Sequence, residues 1–297
     1  MKNANLNQEP EREENFEPLP ETGVPAGKKR RFGTLRAAII AVLVFMLLCG
    51  VLYPFGVTVV AKTMFPYEAN GSVITVTLAD GKPRTFGSEE MGQAFDKPYY
   101  LFGRVNKGSP TNISPESPDH QDNMRARIEY LRKLGYAKDQ LPENLITSSG
   151  SGTDPHIFPA DAEWQVEYLA KNRFDYGWRL VTDADGNVVD YIRLKEVEAG
   201  TPGAIEGSLV SVAMLEEPIV AEDGSKTFCA EPVTEKLYFA PAETEEGLTV
   251  LNEYDKEKYE SHLREIISRY TEGRWLWIFG EKTVNVLLVN LALDGLL

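Results

Sequence analysis

Residues 37–61 read AAIIAVLVFMLLCGVLYPFGVTVVA, without one charged side chain. As an α-helix this run extends roughly 37 Å at about 1.5 Å per residue, enough to cross a hydrocarbon core about 30 Å thick with some tilt. A helix buried in a soluble core normally carries a polar stripe, and here no charge appears before Lys62. The stretch 34–62 is therefore read as a transmembrane helix. It is too long for the apolar region of a cleaved leader and no small-residue cleavage site follows, so it is expected to remain as a signal anchor. Gly50 and Pro54 lie in its second half. They are read either as a kink that the membrane tolerates or as a notch that lets a partner helix approach closely.

Just before this helix stand Lys28, Lys29, Arg30, Arg31 and Arg36, whereas Lys62 alone follows it closely. The positive-inside rule then places the N-terminus in the cytoplasm and the C-terminal mass outside, in a single-pass protein of the cell membrane. Residues 1–27 hold six glutamates against Lys2 and Arg12, with several prolines and asparagines. Such a composition buries too little apolar surface to offset its ordering entropy, so residues 1–33 are expected to be a disordered acidic tail ending in a basic juxtamembrane cluster. The formal net charge of −14 excludes nucleic acid as a partner class, because phosphate binding needs basic surface. Cys49 lies in the apolar run and Cys229 far from it, so no disulfide framework is inferred.

Beyond the membrane, 63–297 reads as a mixed α/β extracytoplasmic domain, giving the whole chain an α+β class. Val73–Leu78 and Arg84–Phe86 flank an Asp80-Gly81 turn and read as a hairpin. Helices are expected over Asp119–Leu134, with Met124, Ile128, Leu131 and Leu134 on one face, and over Asp161–Asn172, with Trp164, Tyr168 and Leu169 on its apolar side. Trp178–Val181 and Val188–Leu194 flank a second turn. The segment from about 195 to 250, rich in Glu, Pro, Gly and Val, reads as short strands and loops. Tyr259, Leu263, Ile266, Ile267 and Tyr270 mark a third amphipathic helix. The nearly continuous apolar run 284–293 is expected to be a buried strand, being too short and too interrupted by Asn285 and Asn290 for a second membrane crossing.

Several blocks occur in a fixed order after the membrane helix. Tyr53-Pro54 is followed by Phe65–Ser72, then by Gly87–Phe95 running on to Tyr99–Arg104. Next come Leu145–Pro159, containing Ser149-Gly150-Ser151-Gly152 and Asp154-Pro155-His156, and Trp164-Gln165-Val166. The last are Thr271–Arg274, Val284–Val286 and Asn290–Asp294. Over about 34–176 and 257–295 the chain thereby resembles the C subunit of the Kdp potassium-transporting ATPase, the KdpC family. That resemblance implies an accessory, non-catalytic subunit of a high-affinity potassium uptake pump. The partners it implies are a channel-like potassium-binding subunit, the catalytic P-type ATPase subunit and a very small membrane peptide. It further implies a role in stabilising the complex and in raising the ATP affinity of the catalytic subunit. ATP would then be shared with that subunit, the chain having no cofactor of its own. The family's nucleotide contact is a glutamine matching Gln165.

The chain departs from the family pattern in its long acidic tail, in an insertion at about 177–256, and at Gly108–Asp119, which stands where the family has a Gly- and Asn-rich loop. Read by themselves, the chemistry-bearing residues point away from catalysis. The Ser-Gly-Ser-Gly loop is followed by Thr153 and Asp154 rather than Gly-Lys-Ser/Thr, so it is no P-loop. Nor is it the Gly-X-Ser-X-Gly elbow of a hydrolase, and its glycines suit a tight turn leading to a helix near Pro159. His120, His156 and His262 are too scattered for a metal site to be expected. Read by itself, Gln165 is better explained as a helix residue near a loop, capping or exposed, than as a nucleotide contact. Two other classes stay open on the sequence alone: a tethered envelope enzyme built on the Ser-Gly loop, and a surface binding module whose recognition face is the insertion.

Overall fold

The apolar run is helical throughout. A computed structural model describes residues 31–105, 108–136, 140–243, 246–274 and 278–297. The acidic tail and Lys28–Arg30 lie outside these. Helix α1 (Arg31–Leu47) passes through one π-turn, Leu48–Leu52, into α2 (Tyr53–Met64). Pro54 has no N–H and its ring crowds the carbonyl four residues earlier, that of Gly50. The wider turn, in which the Tyr53 N–H reaches back to Leu48 O, absorbs that conflict. Gly33–Met64 is the one helix among the described residues that is long and apolar enough to cross a membrane, and none of its apolar window is buried.

The chain divides after Thr63, and the second unit runs from Met64 to Leu297. It opens with a short helix α3 (Pro66–Ala69), the hairpin β1 (Val73–Thr77) and β2 (Pro83–Ser88), helix α4 (Pro118–Lys133) and a single turn α5 (Glu143–Ile146). Strand β3 (His156–Ile157) and α6 (Pro159–Asp175) follow, then β4 (Trp178–Thr182) and β5 (Val188–Arg193). Next come β6 (Ile205–Ser211), β7 (Met214–Val220), β8 (Lys226–Cys229), β9 (Val233–Phe239) and β10 (Thr249–Val250). The unit closes with α7 (Lys256–Arg269), β11 (Thr271–Glu272), β12 (Thr283–Asn285) and α8 (Val286–Leu293). The sheets are small: β1–β2, β10–β4–β5, β11–β12–β3, β6–β9 and β7–β8.

The expected hairpin and the three amphipathic helices are present within a few residues of their predicted ends. On α4 the buried face is Ala126, Tyr130 and Leu131, with Met124 and Ile128 only half-buried. Helix α6 buries Ala162, Val166, Leu169 and Ala170, while Trp164 stacks on Tyr136 at a centroid distance of 5.3 Å and Tyr168 packs against it, tilted, at 4.6 Å. The insertion is strand-rich and packed. Leu180 from β4 and Phe228 and Cys229 from β8 enter the main core with α4, α6 and α7, and Leu194, Leu237 and Phe239 form a smaller cluster.

The C-terminal run corrects its reading as a buried strand. Only Thr283–Asn285 are extended, and Val286–Leu293 form helix α8. Asn285 makes the switch, its Oδ1 accepting from Leu287 N and Leu288 N at 3.1 and 3.2 Å as an N-cap does. Helix α8 lies in the core, so it needs no polar face and shows no helical period.

Candidate functional site

The segment Leu101–Gly103 lies in no sheet, yet Leu101 and Phe102 are fully buried. A buried backbone must find partners for its N–H and C=O groups. Two side-chain amides supply them. Asn290, on α8, accepts from Leu101 N at 2.8 Å and donates to Leu101 O at 3.0 Å. Gln165, on α6, accepts from Phe102 N at 2.8 Å and donates to Phe102 O at 3.0 Å, and its Nε2 also donates to Asp161 O at 3.2 Å. Each amide thus imitates the paired bonds of a neighbouring strand. Gln165 is fully buried, and both of its amide hydrogens are committed within the domain.

The two ends of this segment are fixed as firmly. Tyr100 Oη donates to Asp294 at 2.7 Å, and the Arg173 guanidinium donates to Tyr99 O at 3.1 Å, to Tyr191 Oη at 3.0 Å and to the carbonyl of Leu293 at the end of α8. At the other end Arg104 donates to Asp154 at 3.2 Å. Arg173 is wholly buried, stacks over Trp178 and pairs with Asp294 at 3.4 Å, so its charge is answered inside the core.

The Ser149–His156 loop closes on itself. Ser149 and Ser151 hydroxyls lie 3.2 Å apart, and they accept from the Asp154 and Thr153 amides at 3.4 and 3.3 Å rather than from His156. Asp154 Oδ1 caps His156 N at 3.0 Å, and Pro155 O accepts from Val286 N at 3.1 Å. Gly152 has φ +68°, and a Cβ there would fall 1.9 Å from Ser109 O, so the loop can pass this point only without a side chain. Gly150 keeps its carbonyl for Thr111 N at 3.3 Å. The imidazole of His156 stands 3.6 Å from Asp154 and from Glu272, too long for hydrogen bonds. Gly50 and Pro54 lie in the first unit, where an added Cβ on Gly50 would meet nothing within 4 Å.

Beside this framework is a cavity of about 440 Å³. Its floor is the α4 face carrying Met124, Arg127 and Tyr130, one side is Gly103–Val105 with Ile146–Ser148, and Val212–Met214 from the insertion close another. The Arg127 guanidinium sits about 5 Å from the ring centres of Phe102 and Tyr130, and its Nε donates to Leu145 O at 3.0 Å. Burial draws its pKa down, partly countered by the tyrosines nearby. No sequence pattern announced this cavity, because its walls come from five separate segments, Gln93–Asp96 among them. The one trace is an arginine on the buried side of α4, beside Ala126 and Tyr130.

Comparison with known proteins accounts for the blocks that meet here. The family model described as KdpC, K+-transporting ATPase, c chain, matches residues 35–176 and 254–295. The potassium-transporting ATPase KdpC subunit of Clostridium perfringens is 34% identical over 281 residues, covering 89% of this chain and 98% of that protein. The Listeria innocua subunit of the same name is 40% identical over 147 residues, 49% of this chain and 77% of its own length. That of Sorangium cellulosum is 29% identical over 272 residues, 88% and 97% of the two chains. The gap in the family match falls on the strand-rich insertion, whereas coverage of 89% of this chain cannot be reached without entering it. The chain belongs to the KdpC family of potassium-transporting ATPase subunits.

Proposed function

We propose that this protein is a non-catalytic accessory subunit of an ATP-driven potassium uptake pump, acting by assembly. One observation carries the reading: the residues that bear the family resemblance are spent on one another. Gln165 and Asn290 hold backbone, Asp294 accepts from Tyr100, Arg104 pairs with Asp154 and the Ser-Gly loop closes on itself, so among these residues no nucleophile is paired with a base. What such residues preserve is a shape, as expected of a subunit whose work is to fit partners. An enzyme built on the Ser-Gly loop is disfavoured by the same bonds.

The membrane helix supplies the attachment. Its apolar surface is uncovered along its length, and the open notch at Gly50, next to Pro54, suits close approach by a partner helix. The cations before the helix favour a cytoplasmic N-terminus and a C-terminal domain outside. In this proposal the partners are the channel-like potassium-binding subunit, the catalytic P-type subunit and the small membrane peptide. A nucleotide contact at Gln165 would require it to release Phe102, so the geometry favours a clamp, and any effect on ATP affinity would then pass through assembly.

The test is affinity purification of the tagged full-length chain from native membranes in mild detergent, with mass spectrometry and a potassium-stimulated ATPase assay. Recovery of a P-type ATPase and a channel-like protein, with activity, is the expected result. Recovery of the chain alone, folded and without activity, would refute the proposal and move the surface-module reading forward.

A further inference from the structure

Arg127, half-buried, stands apart from the other buried and half-buried arginines of this domain. Arg104, which also lines the cavity, is answered by Asp154, and Arg173 by Asp294. Arg179, also without a carboxylate among the described residues, donates to the carbonyls of Phe174 and Trp178, and it is not in the cavity wall. Arg127 meets no carboxylate among the described residues; its Nε is held by Leu145 O and its flat face by two rings. Its terminal donors are not so engaged, and the side chain lines the cavity. A guanidinium taken out of bulk water without a counter-charge is costly, and it is also a preorganised fork for two oxygen atoms of an anion.

The rest of the cavity suits a ligand with one charged end. Phe95, Met124, Tyr130, Ile146, Val212 and Met214 give apolar walls, while His120, Asn123, Thr147 and Ser148 add polar groups. Its volume of about 440 Å³ falls within the range of small-molecule sites, about 300–1,000 Å³. Asp96 is the acid in the lining; it is exposed and lies 3.9 Å from Lys97. We propose that this cavity binds a small organic anion, a carboxylate or phosphate monoester on an apolar body, with its charged end on Arg127. The inference stands on this cavity alone and does not depend on the pump partners. Because Val212–Met214 form one wall, the site belongs to family members that carry the insertion.

The full-length chain in phosphatidylcholine nanodiscs would be titrated with benzoate and with phenyl phosphate, and with benzyl alcohol as the neutral match, by calorimetry and ligand-observed NMR. At least one anion is expected to bind saturably, tenfold or more tighter than benzyl alcohol. Arg127→Gln should weaken that binding at least tenfold, with Arg127→Lys intermediate. Because Arg127 also packs on Phe102 and Tyr130, Ala213→Trp serves as a second variant, filling the cavity from the insertion side and abolishing binding. Preference for phenyl phosphate would point to a phosphoester and preference for benzoate to a carboxylate. Weaker phenyl phosphate binding in phosphatidylglycerol nanodiscs at equal ionic strength would identify a lipid headgroup as the phosphate source. If neither anion outbinds benzyl alcohol, or if Ala213→Trp binds as the parent does, the site does not exist.

Discussion

Replacing Gln165 by Leu removes the polar end of one side chain at nearly constant volume and leaves the fully buried Phe102 with an unpaired N–H and an unpaired C=O. Each buried group so stranded costs about 1–3 kcal/mol, so the pair costs about 2–6 kcal/mol. For a domain of this size each kcal/mol lowers the melting point by about 2–4 °C, giving a fall of roughly 4–24 °C. Near-ultraviolet circular dichroism of the full-length protein in detergent would follow it. Asn290→Leu, which strands Leu101 in the same way, should cost a similar amount. The double variant should cost less than the sum, because either change alone frees the shared Leu101–Phe102 segment. If Gln165→Leu melts within about 2 °C of the parent but raises the ATP KM of the assembled pump, the clamp is wrong and the glutamine serves nucleotide instead.

Gly50→Leu fills the notch in the membrane helix and should reduce copurification of the partner subunits severalfold while leaving the melting of the C-terminal unit unchanged; equal yields would exclude the notch. Gly152→Ala forces a side chain into the left-handed region and against Ser109 O, which lies 1.9 Å from the added carbon, and should destabilise by at least about 1–3 kcal/mol by thermal melting. Glu129 receives the amides of Phe228 and Cys229 at 2.8 and 3.3 Å and an ion pair from Lys133 at 3.2 Å. Burial pushes its pKa up, but those three donors outweigh it and hold the value below the ordinary carboxylate range. Its stabilisation is therefore complete above the unfolded pKa of about 4.3 and is lost as pH falls through the depressed folded value. Amide exchange at Phe228 and Cys229 should accelerate over that interval, and Glu129→Gln should remove the pH dependence; equal acid sensitivity in the variant would show that the carboxylate is not the anchor.

Long periodic segments were legible in the sequence, because the faces of α4, α6 and α7 repeat often enough for spacing to override local ambiguity. The apolar run 284–293 was not, since a short buried stretch carries no period and its valines favour a strand. The polar residues inside that run held the answer. Asn285 and Asn290, read as interruptions to a membrane crossing and as members of the resemblance blocks, cap the helix and clamp a distant segment. Gln165 was singled out by resemblance, but its partner Phe102 could not be found from spacing, because nothing in Leu101–Gly103 signals that its backbone pairs with side chains. Arg173 went unnoticed for a related reason: a charged residue near the end of an amphipathic helix reads as solvated surface until the core around it is seen.

The clamp on Leu101 also sets an order of events. Its two bonds span a sequence separation of 189 residues, and Arg173 reaches the end of α8 across 120. Contacts this distant must bear the entropy of closing a long loop before they return anything, which slows folding. As the chain is synthesised from its N-terminus, Leu101 and Phe102 emerge early and wait with half their partners missing until α8 is made. Completion of α8 then acts as the latch of the core: a chain truncated before Asn290 leaves the buried N–H and C=O of Leu101 without the amide that pairs them.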